Sequence, residues 1–319
     1  MQYCCFCTIK NLALDNIDVK GGSYVAGLVC NAGENLVVEN VTVSGTVEAT
    51  GYAAGFIWKA NYNVLKNCKN YATISGNRGA GLVAWINSTS SVMENVANYG
   101  DITGNISAAG ISNRVAGTVK NAVNYGTIKG NGTEASAGIS GTATAVTTFE
   151  YCYNYGDVTT TTNNANSSAA GILGHTPSAA ATFNYCANFG DITAEQSYAA
   201  GIGYSLYGST TSNYCYNAGA ISGAKAAGAI APKAQYGAND TANRCLNAGV
   251  ITSANGKVYQ GSNKNTNSFY YSNGELWKMN LEGKKEVVTL STTEDALAVL
   301  NGGADAEFFV VEEGVITVK

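Results

Sequence analysis

One refrain constrains most of what this chain can become. Asn70-Tyr71-Ala72-Thr73-Ile74 is echoed as NYGDI from Asn98, NYGTI from Asn124, NYGDV from Asn154, NFGDI from Asn188, NAGAI from Asn217 and NAGVI from Asn247. The asparagines follow one another at intervals of 28, 26, 30, 34, 29 and 30 residues. A second marker, an Ala-Gly pair before a small or aliphatic residue, recurs in step at Gly27, Gly55, Gly81, Gly110, Gly138, Gly171, Gly201 and Gly228. Two markers locked to one period of about 28 residues specify a repeat architecture, in which each unit seals the next. The 319 residues are then a repeat count rather than a domain count.

Within a repeat the periodicity is that of strand. Cys152, Asn154, Gly156 and Val158 share one parity and Tyr153, Tyr155 and Asp157 the other, with Cys152 and Val158 marking the inward side. Asn tolerates left-handed backbone and Gly takes positive φ freely, so Asn-x-Gly is expected at a corner. No helical period intervenes. The expected fold is all-β: a parallel β-solenoid of about eight to nine coils spanning 20–261. Residues 1–19 read as a truncated or irregular first coil and 262–319 as a C-terminal cap of mixed α and β structure. In that cap Phe269–Tyr271 and Glu275–Trp277 are expected to pair around Ser272-Asn273-Gly274. Thr292 or Thr293 would cap a helix over Glu294–Leu300, and Phe308–Val311 with Val315–Val318 would form a final hairpin.

Stacking turns each repeat position into a column. The refrain asparagines are expected to hydrogen-bond along the axis, and Ile74, Ile102, Ile128, Val158, Ile192, Ile221 and Ile251 to form an inner apolar column. Cys68, Cys152, Cys186, Cys215 and Cys245 precede the refrain Asn by two residues, where other repeats carry Val96 and Ala122. A position that accepts Cys, Val or Ala asks for a small apolar filler rather than a metal ligand. Cys4, Cys5 and Cys7 form a separate cluster open to reactive or metal-binding roles.

Composition narrows the partners. A net charge of −4 gives no basic face for nucleic acid, and no apolar run approaches the ~18 residues that span a membrane. MQYCCFCTIK lacks the basic and apolar regions of a secretory signal, so the start reads as lying inside the solenoid, as a fragment or after loss of an upstream segment.

Two stretches resemble a known repeat. Gly27-Leu28-Val29 with Glu39-Asn40-Val41 and Gly45-Thr46-Val47, and Gly81-Leu82-Val83 with Glu94-Asn95-Val96 and Gly100-Asp101-Ile102, are similar to the GLUG motif of bacterial extracellular and cell-surface proteins. The fourth motif glycine is replaced by Cys30, Trp58, Ala84 and Asn113. The resemblance covers about residues 20 to 255. It implies a secreted or surface location and adhesin-like roles, and it is poorly specific for activity.

The outward positions are where chemistry could sit. Asp101, Asp157 and Asp191 share a rung three residues after the refrain Asn, and Asp157 with Asp191 is the one carboxylate pair on adjacent coils. Such a pair can serve a glycosidase or hold Ca²⁺, but Thr73, Thr127, Ala220 and Val250 occupy the other rungs, which favours a corner role. His175, beside Pro177, reads as a surface-loop residue. Tyr71, Tyr99, Tyr125, Tyr155 and Phe189 have outward parity on five successive coils, a candidate strip for sugar faces or a protein partner. Trp58 and Trp85 are a second candidate platform. No cofactor and no metal ligand set is expected. The function expected is a non-catalytic surface scaffold binding glycans or host or neighbouring-cell proteins. The alternatives are a β-helix carbohydrate-active enzyme, with Asp157 and Asp191 in its site, and a spacer in a larger secreted protein.

Overall fold

The computed structural model describes residues 3–4, 6–164, 167–176, 179–205, 208–231, 240–262, 264–272, 275–279, 286–287, 293–302 and 307–319. The expected turn residues Asn273 and Gly274, together with Thr292, Pro177 and Cys5, lie outside them. Each repeat becomes one coil of short strands. In one of the longer coils these are Tyr153–Asn154, Val158–Thr160, Ser168–Ala170, Leu173–Thr176 and Ala180–Asn184. Every one pairs in parallel with its counterpart on the next coil, beginning with Tyr153↔Ala187 and Asn154↔Asn188. The result is a parallel β-solenoid of about eight turns. No helix among the described residues is long and apolar enough to cross a membrane.

The register aligns the expected columns. Ile74, Ile102, Ile128, Val158, Ile192, Ile221 and Ile251 are consecutive partners, and all but the last are buried in one continuous core. The five refrain-linked cysteines are fully buried with Val96 and Ala122 in the same core. Burial pushes the Cys68 thiol up to about 11 and those of Cys152, Cys186 and Cys215 well above their ordinary value, so these thiols are inert fillers. Cys7, by contrast, is disulfide-bonded.

The refrain Asn is not the left-handed corner. That corner lies three residues earlier, at Asn67, Asn95, Asn121, Tyr151, Tyr185, Tyr214 and Arg244, with φ between 49° and 55°. Its side chains form an outer column. Asn40, Asn67, Asn95 and Asn121 each donate to the amide oxygen one coil back at 2.8–3.1 Å, and Tyr151, Tyr185 and Tyr214 stack with centroids 4.9 and 4.8 Å apart. These contacts offset the strain that left-handed backbone imposes on non-glycine residues.

The refrain Asn instead points inward, fully buried, as a rung of an amide ladder. Asn70, Asn98, Asn124, Asn154, Asn188 and Asn217 each donate from Nδ2 to Oδ1 of the next at 2.8 Å, and Asn247 ends the run on Gln260 Oε1. The second Nδ2 hydrogen goes to the carbonyl two residues on, as from Asn154 to Gly156 at 2.7 Å. Both sequence markers meet here. A Cβ on Gly81, Gly110, Gly138, Gly171 or Gly201 would fall within 3 Å of an Asn amide oxygen and of the next coil's backbone carbonyl. The glycine of the refrain is likewise required by close approach to the neighbouring coil, not by positive φ. The eighth marker is displaced by one residue: Gly201 is followed in register by Ala229, not Gly228.

Beyond the last coil, Glu275–Lys278 turns antiparallel to Phe269–Ser272, and Trp277 and Met279 close the end of the core. The helix Thr293–Asn301 and the hairpin of Phe309–Glu312 with Val315–Val318 pack elsewhere. Ala296, Leu300, Phe308, Phe309 and Ile316 cover the outward residues Ala187, Tyr216, Leu246 and Phe269, so this unit buttresses the side of the last coils. Arg244 Nη1 donates to the Val299 carbonyl and ties the left-handed column to the helix end.

Candidate functional site

The sequence placed possible chemistry on three outward groups. The carboxylates come first. Asp101 Oδ1 accepts the Thr127 N–H, Asp157 Oδ1 the Asp191 N–H and Asp191 Oδ1 the Ala220 N–H, each at 2.9 Å. Asp157 and Asp191 therefore do for successive coils what an Asx turn does within one: they satisfy a backbone donor. Their shared rung is a corner device.

The five rings do form one strip. Tyr71, Tyr99, Tyr125, Tyr155 and Phe189 stack at centroid distances of 4.6–5.1 Å with planes within 4–12° of parallel. The four tyrosines remain 41–47% exposed. Stacking covers the ring faces, so the strip presents ring edges and phenolic hydroxyls over about 19 Å at the ~4.8 Å spacing of stacked strands. Phe189 meets Tyr216 edge-on, which brings the strip to the C-terminal unit.

Trp58 and Trp85 do not share a column. The register sets Trp85 opposite Lys59, which leaves Trp58 opposite Ala84. Trp58 stacks on Tyr24 at 3.8 Å above a small cluster of Ala54, Ala80 and Ala84. Trp85 lies between Lys59 Nζ at 5.4 Å and Arg114 Cζ at 5.1 Å, on the rungs before and after it.

Those alanines reveal a face that the sequence reasoning missed. The chain folds inward at each Ala-Gly marker, and outward side chains six residues apart meet across the bend. Asn113 donates to Ser107 at 2.9 Å, Tyr198 stacks on Tyr204 at 4.9 Å and Ser168 donates to the Gly174 carbonyl. The chain is therefore re-entrant here, along a column of Ala26, Ala54, Ala80, Ala109, Ala137, Ala170 and Ala200 in register, all but Ala26 fully buried. The one signal for it was that alanine precedes every marker glycine.

A cluster of charge crosses the mouth of this face. Arg78 grips Glu134 through Nε at 2.8 Å and Nη2 at 2.5 Å, and Arg114 Nη2 adds a contact at 3.2 Å. Burial pushes the Glu134 carboxyl up, but the Arg78 hydrogen bond and the charges of Arg78 and Arg114 outweigh it and hold it below the usual range.

No family model matches this chain, and no curated protein or solved structure does either. The GLUG likeness thus rests on the quoted residues alone.

Two buried titratable groups remain, His175 and Asp240. His175 is not a loop residue: it lies in the strand Leu173–Thr176, 7% exposed, and burial lowers its pKa to about 4. Burial acts in the other direction on the Asp240 carboxyl and raises its pKa, and this carboxyl accepts the Thr210 N–H and hydroxyl at 2.8 and 2.7 Å. Among the described residues neither belongs to a group of three or more His, Cys, Asp or Glu side chains that could hold a metal ion.

Proposed function

We propose that this chain is a non-catalytic scaffold, of the bacterial secreted or cell-surface type, that holds a glycan or a protein partner against its side. The observation that carries this reading is the exposed strip from Tyr71 to Phe189. The coil does not need those rings, because the same rung is filled by Ser44, Ala218 and Ala248 in other repeats. Rigid rings held in a row present a wide contact area at little entropic cost, with hydroxyls along one edge for sugar or peptide polar groups. The location is supported by the GLUG resemblance. The enzymatic alternative is weakened because Asp157 and Asp191 already serve the backbone.

The test is Tyr99→Ala combined with Tyr125→Ala, screened beside the parent chain on glycan and mucin arrays and on surface-protein panels. Unchanged far-UV circular dichroism with at least about tenfold weaker binding supports the strip, the scale expected when two aromatic anchors are lost. Unaltered binding by the double variant removes the strip from the function.

A further inference from the structure

We propose that the re-entrant face around Lys59, Trp85, Arg114, Arg78 and Glu134 binds an acidic polysaccharide laid along the solenoid axis. It shares with the preceding section the premise of a carbohydrate partner but uses none of the strip's residues.

Charge is the first argument. Arg78 and Arg114 share one carboxylate, Glu134, and Lys59 stands two rungs from Arg114, so three cations meet one carboxylate's charge in a chain whose net charge is −4. On the coil's other charged column the basic residues are matched: Lys10 with Glu39, Lys66 with Glu94 and Lys120 with Glu150. Among the described residues no carboxylate lies within ion-pairing distance of Lys59. An excess of one sign on one face attracts the opposite sign.

Preorganisation is the second. Lys59 and Arg114 are laid over the two sides of Trp85, and Arg78 over Tyr52 at 5.0 Å. Long basic side chains held against rings lose less freedom on binding, and the guanidinium fork suits a carboxylate. With both sides of Trp85 occupied, the cations rather than the indole are what the site offers to a ligand.

Spacing is the third. Lys59 and Arg114 are separated by two rungs, about 10 Å at the strand spacing. Anionic groups repeating at that distance on an extended chain would meet both at once. Successive coils keep the face straight, and Tyr24, Tyr52 and Trp58 continue it on the N-terminal side. A polymer with an acidic group on alternate sugars fits this arrangement. A compact anion would reach one cation only.

The experiment is affinity electrophoresis of the full chain through gels containing polygalacturonate, hyaluronate, dextran or polyglutamate, at about 0.05 M and about 0.5 M salt, which shortens the screening length about threefold. The expected result is retardation by an acidic polysaccharide but not by dextran, abolished by salt. Lys59→Gln and Arg114→Gln should each weaken it about tenfold, the scale of one lost charge-assisted hydrogen bond. The Tyr99→Ala, Tyr125→Ala double variant should be retarded like the parent, which separates this site from the strip. If Arg114→Gln does not fold, Lys59→Glu, at a side chain with no carboxylate partner to lose among the described residues, carries the test alone. Equal retardation in dextran, none in either acidic polysaccharide, or unchanged retardation of Lys59→Glu overturns the proposal. Tighter binding to polyglutamate than to the polysaccharides also overturns it, in favour of an acidic peptide.

Discussion

Replacing Asn154 by alanine should be among the most damaging single changes this chain can suffer. Its amide is fully buried and donates to Gly156 O at 2.7 Å and to Asn188 Oδ1 at 2.8 Å, while its oxygen accepts from Asn124 Nδ2 at 2.8 Å. Alanine removes all three bonds and leaves a donor on Asn124 and acceptors on Gly156 and Asn188 without them. A buried orphan costs about 1–3 kcal/mol, so with partial relaxation the loss is about 3–6 kcal/mol. Asn70 starts the ladder, with Val43 on the rung before it, and its oxygen accepts only the longer Ala72 N–H bond at 3.3 Å in place of a side-chain amide. Asn70→Ala should therefore cost less, about 2–4 kcal/mol. The assay is urea unfolding of the full chain followed by far-UV circular dichroism. Native-state hydrogen exchange beside it detects coils that open separately, as repeat arrays can. A double-mutant cycle sharpens the test. Asn124 and Asn154 share a bond and should couple by about 1–2 kcal/mol, whereas Asn70 and Asn188, several coils apart, should add to within ~0.5 kcal/mol. A loss below ~1 kcal/mol for Asn154→Ala, or equal losses at Asn154 and Asn70, would refute the ladder as the principal polar brace of the interior.

Two further outcomes follow from the same geometry. Gly171→Ala sets a methyl against Asn188 Oδ1 and the rigid Gly201 carbonyl; it should cost at least about 3 kcal/mol, and soluble yield with the thermal midpoint checks it. His175 has a folded pKa of about 4, below its unfolded value of 6.5, so the native state resists protonation. Stability is complete above pH 6.5 and falls by about 3 kcal/mol as pH drops toward 4. His175→Gln should flatten that part of the curve, and an unchanged slope in urea midpoints between pH 6.5 and 4 would show that His175 is not its source.

The columns were legible because period and parity act together. A residue at a fixed phase of a strict repeat has only one neighbour above and below, so the Ile column and the amide ladder could be read from spacing. The corner was not legible. Asn95 and Asn98 lie three residues apart and both suit left-handed backbone by type, yet only Asn95 adopts it. In later coils the corner belongs to Tyr151, Tyr185, Tyr214 and Arg244, side chains that carry no local signal for positive φ. What holds the three tyrosines there is stacking between coils, and Arg244 is held by the Val299 carbonyl; both are tertiary contacts. The re-entrant face was hidden for a related reason. Parity sorts inside from outside along one strand, but it says nothing when the surface itself folds back at a glycine, and so Trp58 and Trp85 looked like one platform. His175 was misread because a polar residue near a proline resembles a loop, whereas its neighbours Leu173 and Gly174 carry the strand into the interior.

One outer column has a consequence for how such a chain can change its length. Lys10, Glu39, Lys66, Glu94, Lys120 and Glu150 are successive register partners, alternating in sign, before the column passes to Asn184, Asn213 and Asn243. Lys10 and Lys66 hold the carboxyls of Glu39 and Glu94 below the ordinary range. Deleting one interior coil from this half would bring lysine against lysine or glutamate against glutamate, whereas removing two would restore the alternation. The amide rungs impose no such condition, because a primary amide both donates and accepts. The first half of the rod therefore has an even-number rule for gaining or losing coils. The second half is free to grow by single repeats.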